Sequence, residues 1–528
     1  MRRLFGGETE YALTVLDSSG EPLDAETVVA PSLLRLARER LTHLDDTSGR
    51  GVFLQNAARF YIDVPCVPEY STPEVDDPWD LVRHLRAGDG IVWNLVAAFA
   101  SESADAADPI LMRTNVDYAG ASVGSHESYL VTTDLAHWPS QIVPFLATRI
   151  LYTGSGGLTP NATSGLHFTL SPRAWHLTRV TSHDSQRERG IFHTKDEPLA
   201  SGTYHRLHII CGETLCSDLA SWLRAATTAL VVALIDAGGQ PGGDVALRNP
   251  LLAMRHYAGD PTLEARAVLK DGREVRALDI QRHYLNAVEE RLADPTMPPW
   301  AELACRRWRT VLDSLEGDPS WAERRLDWGT KLALFRRYAT VRGLEWNAVA
   351  AWNHVGERMA NAVPGWEPGA MCAHVDAVVH GRIPPVSAMR RLRSFLARHG
   401  LAWEGFGRFV GLRHELNELD LRYGQLGGRG LFDSLDREGV LEHRVDGASD
   451  GADLAISHPP DRGRARQRGD WIRQLAPHAA RYRCDWCHIW DLEQKRRLDL
   501  DDPFAADVSW HAVRTEDADL ALRRLLSR

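Results

Sequence analysis

Residues 59–70 read RFYIDVPCVPEY. Successive side chains of a strand point to opposite faces. A strand here presents Arg59, Tyr61 and Asp63 on one face and Phe60, Ile62 and Val64 on the other. The second set is a core face. The first set is unusual for a solvated face, where Lys, Thr or Ser would serve. It puts a guanidinium, a phenol and a carboxylate in a row. Pro65 and Pro68 mark a turn, and Glu69 adds another carboxylate beyond it.

Other stretches repeat the arrangement. Glu8–Val15 (ETEYALTV) alternates like a half-buried strand with Glu8 and Glu10 on one face. YHRLHII (204–210) puts Arg206 and His208 opposite Leu207 and Ile209. TNVDYAGASVGSHESYL (114–130) adds Asp117, His126 and Glu127 amid small residues. If these strands share a sheet, their polar faces make one bowl of carboxylates, imidazoles and guanidinia. Hard oxygen ligands with one or two His suit Mg²⁺ or Mn²⁺ rather than structural zinc. Arg beside a divalent cation suits phosphate, whose oxygens match its fork. The bowl therefore reads as a metal–nucleotide site for phosphoryl transfer. The chain has no G-x-x-x-x-G-K-[ST] motif and no kinase-type Gly-rich loop, so the nucleotide would be held another way. Each piece also has a structural reading. Glu8 and Glu10 could be solvated, Arg59–Tyr61–Asp63 could be an ion-pair ladder, and His208 could be a satisfied core histidine. Repetition on three strands favours the site.

The 528 residues exceed one ordinary domain. Net charge is −10 with both signs interspersed, and no Lys/Arg stripe points to nucleic acid. The N-terminal MRRLFGGETEY lacks the apolar core of a signal peptide. The most apolar stretch, Ala225–Ile235, is too short and too closely flanked by Arg224 and Asp236 to span a bilayer. Seven scattered cysteines fit a reducing cytoplasm. No membrane or nucleic-acid partner is expected.

Asp77–Pro78 should open a helix running to about Ser101. Ser217 or Asp218 should cap a long apolar helix ending at Gly238–Gly239. Asp271–Gly272 should turn a hairpin. Residues 348–405 form a Trp-, Gly- and Pro-containing insertion between GLEW (343–346) and GLAW (400–403). Residues 446–469 read as a mobile Gly/Asp/Arg-rich loop, followed by a small mixed region with a terminal helix. Cys484-Asp485-Trp486-Cys487-His488 matches the c-type haem pattern, but that needs export. A zinc site would want a second Cys/His pair nearby, and none stands there. Both cysteines are expected to be ordinary buried thiols.

GGETEY (6–11), FLQNAARFYIDVPCVPEYSTPE (53–74), NVDYAGASVGSHESYL (115–130), HTKDEP (193–198) and YHRLH (204–208) occur in that order. They resemble the Pup ligase/depupylase family, which acts on the ubiquitin-like tag of bacteria with proteasomes. The resemblance spans residues 1 to about 347. It resumes near 406 with ELDLRYGQLGGRGLFDSL and runs through CDWCHIWDLEQKRRLDLDDPF (484–504). It implies an α+β, glutamine-synthetase-like (carboxylate–amine ligase) domain over 1–440, including the 348–405 insertion. A curved antiparallel sheet would cradle ATP and Mg²⁺, and a small C-terminal domain would span 441–528. Matched position by position, Glu8, Tyr61 and Glu69 fall on metal ligands, and Arg59 and Thr72 on nucleotide contacts. Asp63 falls on the catalytic carboxylate, and Trp486 on a C-terminal-domain tryptophan that touches the nucleotide. Glu10, His126 and His208 are assigned to the metal side of the same pocket, and Arg206 to the nucleotide side.

The family runs two chemistries on one site. The ligase joins the C-terminal Glu of Pup to a substrate lysine through a γ-glutamyl phosphate. The depupylase cuts that bond, and some members deamidate a C-terminal Gln of Pup. NVDYAGASVGSHE, RERGIFHTKDEP, KDGREVRALDIQRHYL and LDWGTKLALF resemble the depupylase. GVFLQNAARFYIDV, GRGLFDSL and CDWCHIWD resemble the ligase. Where depupylases insert a long loop, only LTHLDDTSGRG (41–51) stands. The expectation is a cytoplasmic, depupylase-like hydrolase of Pup–protein conjugates. A Pup ligase is the alternative, followed by a γ-glutamyl enzyme on a non-Pup substrate or a tag-binding adaptor.

Overall fold

The computed structural model describes residues 3–346 and 415–512, apart from 104, 118–120, 160–166, 184–187, 198 and 201–202, together with 394, 397 and 412. The 348–405 insertion and the expected terminal helix lie outside these residues.

Arg59–Asp63 is a strand whose burial alternates as the sequence predicts. Phe60 and Ile62 are 0% and 6% exposed. They pack with Leu33, Leu36, Ile91 and Leu95, from the helices Ala30–Arg40 and Pro78–Glu102. Burying such side chains contributes roughly 1.5–3 kcal/mol each. That holds the register, and the register aims Arg59, Tyr61 and Asp63 at the opposite face.

The strand sits in a nine-stranded sheet. Its order is Arg179–Ser182, Gly190–His193, His205–Ile209, Ser125–Val131, Phe5–Glu10, Val67–Ser71, Arg59–Asp63, Gly51–Leu54, His43–Asp45. Only the first pair is parallel. The other end is backed by a second core, in which Leu207, Ile209 and Tyr129 meet Trp222 and Leu230 of the helix Asp218–Asp236. That helix is long and apolar enough to cross a membrane, and 94% of its most apolar window is buried inside the protein.

The expected caps are in place. Asp77 accepts from the Asp80 N–H at 2.9 Å, and Ser217 accepts from the Ala220 N–H at 3.1 Å. The hairpin pairs Arg266–Val268 with Glu274–Arg276, and Gly272 takes the left-handed turn position at φ +95°. The C-terminal strands Tyr482–Cys484, His488–Asp491, Arg496–Asp499 and Trp510–Ala512 form a four-stranded sheet. A parallel bridge from Asp46 to Cys484 joins it to the edge of the large sheet.

Two expectations are corrected. Glu8–Val15 is two strands, not one. Phe5–Glu10 lies in the large sheet, whereas Ala12–Asp17 pairs with Ala106–Met112. Between them Tyr11 turns inward, 1% exposed, and donates to Asp89 at 3.0 Å. Residues 446–469 are not a mobile loop: they contain the helix Ala452–Ser457 and open the helix Gly463–Leu475. Their arginines reflect ion pairing rather than solvation, since Arg464 and Arg468 are 5% and 0% exposed.

Candidate active site

The sheet register builds the bowl in two cross-strand rows. Tyr61 pairs with Glu69, and Glu69 with Glu10. One step along, Arg59 pairs with Ser71, Ser71 with Glu8, and Glu8 with His126. Residues directly opposite in adjacent strands stand within about 5.5 Å. Side chains far apart in sequence thus converge with no loop to place them. His208 and Arg206 enter from His205–Ile209. Gly51 makes room for the first row, because a Cβ there would lie 2.5 Å from Tyr61 Cβ and from the Phe60 carbonyl.

Two ligand sets result. Glu8, His126 and His208 can each offer an atom within 4.8 Å of the others, and so can Glu10, Asp63 and Glu69. Glu8 Oε2 lies 3.2 Å from His126 Nδ1 and 3.8 Å from His208 Nε2. Glu10 is held by the Gly124 N–H at 2.6 Å and stands 4.0 Å from His126 Nε2. Asp63 closes the strand at the rim and is part-exposed.

The charges are out of balance. Burial and the charges of Glu8 and Glu10 push the Glu69 carboxyl well above its ordinary range. Burial and the charge of Glu69 do the same to the Tyr61 phenol. Burial keeps His208 below the usual imidazole range, against the pull of Glu8. Among the described residues no Lys or Arg pairs with Glu69. Two carboxylates about 4 Å apart repel by roughly 4 kcal/mol at an effective dielectric constant near 20. A divalent cation relieves that repulsion, and four carboxylates, a phenol and two imidazoles suit a hard or borderline ion.

Of the expected nucleotide groups, Thr72, Arg206 and Trp486 border an open cleft beside the first ligand set, whereas Arg59 is not part of its lining. Phe5 and Glu8 also line the cleft. Arg206 Nη2 lies 3.3 Å from His208 Nδ1. Thr72 is buried, and its hydroxyl accepts from the Gly7 N–H at 3.0 Å and donates to the Pro73 carbonyl at 2.9 Å. Arg59 stacks on Tyr61 at 4.1 Å and pairs with Asp46 at 2.5 Å. Two residues noted in the sequence stay out of the bowl. Asp117 accepts from the Ala121 N–H, and Glu127 faces the core, paired with Arg149.

Sequence reasoning missed four supports. Asp46, 2% exposed, anchors Arg59. His193 packs its ring 5.5 Å from His208 and is pushed down to about 4 by burial. Arg464 and Arg468 both pair with Glu74. Burial raises the Glu74 carboxyl, but the two guanidinia outweigh it and bring it to about 2. Arg468 also lies 4.8 Å over the Trp486 ring and donates to the Trp486 carbonyl. This pins the C-terminal sheet against the cavity. Arg464 and Arg468 at i, i+4 were the available signal.

The model of the Pup-ligase protein family matches residues 3–354 and 377–490. The chain belongs to the Pup-ligase family. It is 31% identical to the Pup–protein ligase of Actinosynnema mirum, over 96% of this chain and 97% of that one. It is 30% identical to that of Gordonia bronchialis (95% and 96%) and 31% to that of Mycobacterium leprae (96% and 97%). The structure of the ligase PafA in complex with Pup superposes with a TM-score of 0.70 at 24% identity, covering all of this chain and 93% of that one. The structure of PafA with ADP gives 0.65 at 23% identity, covering 95% and 94%. The expected α+β class, with a large, mainly antiparallel sheet and a smaller C-terminal sheet, is met.

The hydrolase expectation is corrected. Relatives that align along nearly the whole chain are Pup–protein ligases. Of the motifs that suggested a hydrolase, NVDYAGASVGSHE brings His126 to the bowl and RERGIFHTKDEP brings His193 beside His208, whereas KDGREVRALDIQRHYL and LDWGTKLALF lie in the hairpin and helices of the core, away from it. The short 41–51 segment, by contrast, already agreed with a ligase.

Proposed function

We propose that this chain is a Pup–protein ligase: it uses ATP to join the C-terminal Glu of a Pup-type tag to a lysine of an acceptor protein. The observation that carries the reading is the end-to-end match to Pup–protein ligases at 30–31% identity. The unbalanced bowl beside an open cleft lined by Thr72, Arg206 and Trp486 supports it.

In this reading Glu8, Glu10, Tyr61, Glu69, His126 and His208 hold Mg²⁺, which supplies charge neutralisation at the transferring phosphoryl group. Arg59, fixed by Asp46, presents its guanidinium to phosphate oxygens, and Arg206 does so from the opposite side. Thr72 and Trp486 border the nucleotide. The γ-phosphoryl of ATP passes to the γ-carboxylate of the tag's Glu, giving an acyl phosphate and ADP. The acceptor lysine nitrogen then attacks the acyl carbon, the C–O bond to phosphate breaks, and an isopeptide bond forms. Asp63 takes the ammonium proton as general base. Its place at the strand's open end lets a lysine arrive from solvent. The division into a catalytic unit (1–440) and a small C-terminal unit (441–528) that contributes Trp486 belongs to the same reading. The free cysteines of the described residues support a reducing, cytoplasmic setting.

The test gives purified protein, ATP and Mg²⁺ either free Pup ending in Glu plus an acceptor protein, or a ready-made conjugate. A new heavier band in the first tube is expected. Loss of the conjugate with no ligation in the first tube would overturn the proposal. Asp63→Asn should lower ligation by about 10²–10⁴-fold while ATP still binds, and undiminished ligation would remove Asp63 from its role.

A further inference from the structure

No second Cys/His pair stands near Cys484-x-x-Cys487-His488 in the sequence. The structure shows what stands there instead. Cys484 is 0% exposed, and Cys487 Sγ faces Arg464 at 3.8 Å. Burial pushes both thiols up. His488 is arranged differently. Its cross-strand partner is Asp499, and the strand end carries Asp501 beside it.

Asp485 fixes the imidazole. Its Oδ1 accepts the backbone N–H groups of Cys487 and His488 at 2.8 Å each, and lies 3.2 Å from His488 Nδ1. That carboxylate fixes the orientation of the ring. Nε2 then faces two anionic oxygens, Asp501 Oδ1 at 3.4 Å and Asp499 Oδ1 at 3.7 Å. Two tetrahedral ligands with bonds of about 2.0–2.1 Å stand about 3.3 Å apart. The three ligand atoms lie within 4.8 Å of one another. Arg497 Nε, 2.6 Å from Asp499 Oδ1, occupies one side of that carboxylate, and a second lone-pair direction remains. His511 Nε2 stands 3.9 Å from Asp499 Oδ2. The carboxylate–imidazole–cation order is that of metal-bound histidines.

We propose that His488, Asp499 and Asp501 bind a borderline divalent transition ion, of the Zn²⁺ class, at a site separate from the Mg²⁺ bowl. Side-chain exposures of 19%, 29% and 39% leave room for water in the remaining positions. The ion ties the turn that presents Trp486 to the far end of the Arg496–Asp499 strand, alongside the bond from the Leu500 N–H to the Cys487 carbonyl at 2.6 Å. It is therefore a structural clamp on one wall of the cavity.

The test uses the full chain carrying Glu8→Gln and Glu69→Gln, which takes one carboxylate from each ligand set of the bowl, and Zn²⁺ as the probe in equilibrium dialysis. One tightly bound equivalent is expected. Adding Asp501→Asn should weaken it at least about tenfold, and Co²⁺ in place of Zn²⁺ should show a visible absorption band that the same change removes. Asp501 is partly exposed, so this variant remains folded even if His488→Gln does not. Absence of a bound equivalent, or Zn²⁺ affinity unchanged by Asp501→Asn, would overturn the proposal.

Discussion

Glu69 and Glu127 are glutamates of the same sheet and are almost equally buried, at 2% and 1% exposure. Their surroundings differ in one respect. Glu127 meets Arg149 through both oxygens, at 2.6 and 2.9 Å, and accepts from the Tyr129 hydroxyl at 2.8 Å. Burial raises its carboxyl, but Arg149 and Arg224 outweigh burial and leave it below its ordinary range. Glu69 has a phenol and three more carboxylates around it, and lies well above that range. One charge is balanced within the chain. The other is balanced only when something else arrives. Buried ionisable residues therefore divide into framework and site by the sign of what surrounds them, not by burial.

The strongest way to break this comparison is Glu127→Gln. It leaves Arg149 and Arg224 buried with no carboxylate between them, so stability should fall by about 3–5 kcal/mol, read by denaturant unfolding. The folded fraction should still bind the bowl's cation normally. A variant of unchanged stability would mean that Glu127 is not the framework charge described here.

Glu69→Gln should do the opposite. Cation affinity should fall at least about tenfold, and the metal-free protein should be no less stable than the parent. The pH dependence sharpens this. With its folded carboxyl raised, Glu69 keeps a proton that the unfolded chain releases near 4.5. Its contribution to metal-free stability is thus most favourable below that pH and is lost as pH rises through the folded value. Subtracting the stability–pH curve of Glu69→Gln from that of the parent should leave a difference that falls with pH. A flat difference would place the Glu69 charge elsewhere.

How much of this was legible depended on the range of the interaction. Arg59–Tyr61–Asp63 and Phe60–Ile62 could be read because a period of two needs only five residues, and the same held for Arg206 and His208. The bowl followed from repetition, although register alone decides that Tyr61, Glu69 and Glu10 share one row. Asp46, Glu74, Arg464 and Arg468 were not legible. The Arg464–Glu74 pair joins positions 390 residues apart, and a helix rich in Gly and Arg looks in sequence like a solvated loop. His488 failed for a different reason. The zinc spacing rule asks for Cys and His, while the neighbours of His488 are Asp499 on the facing strand and Asp501 just beyond it. Reaction direction was illegible because motifs resembling each enzyme, GVFLQNAARFYIDV and NVDYAGASVGSHE, supply side chains to the same bowl.

The smallest expected effect concerns the seam between the two sheets. Trp486 is held edge-on to Phe53, with ring centroids 5.0 Å apart, and lies under the Arg468 guanidinium at 4.8 Å. These contacts fix the ring before any nucleotide arrives, so it borders the cavity as a preformed wall. Trp486→Phe keeps an aromatic ring but shortens its reach into the cavity and weakens the cation–π contact. The loss should be on the order of 1 kcal/mol, a several-fold rise in KM for ATP with kcat unchanged, because the ring touches no reacting atom. If kcat fell instead while KM held, the C-terminal sheet would be acting on the bowl itself. The separation drawn between framework and site would then fail at this seam.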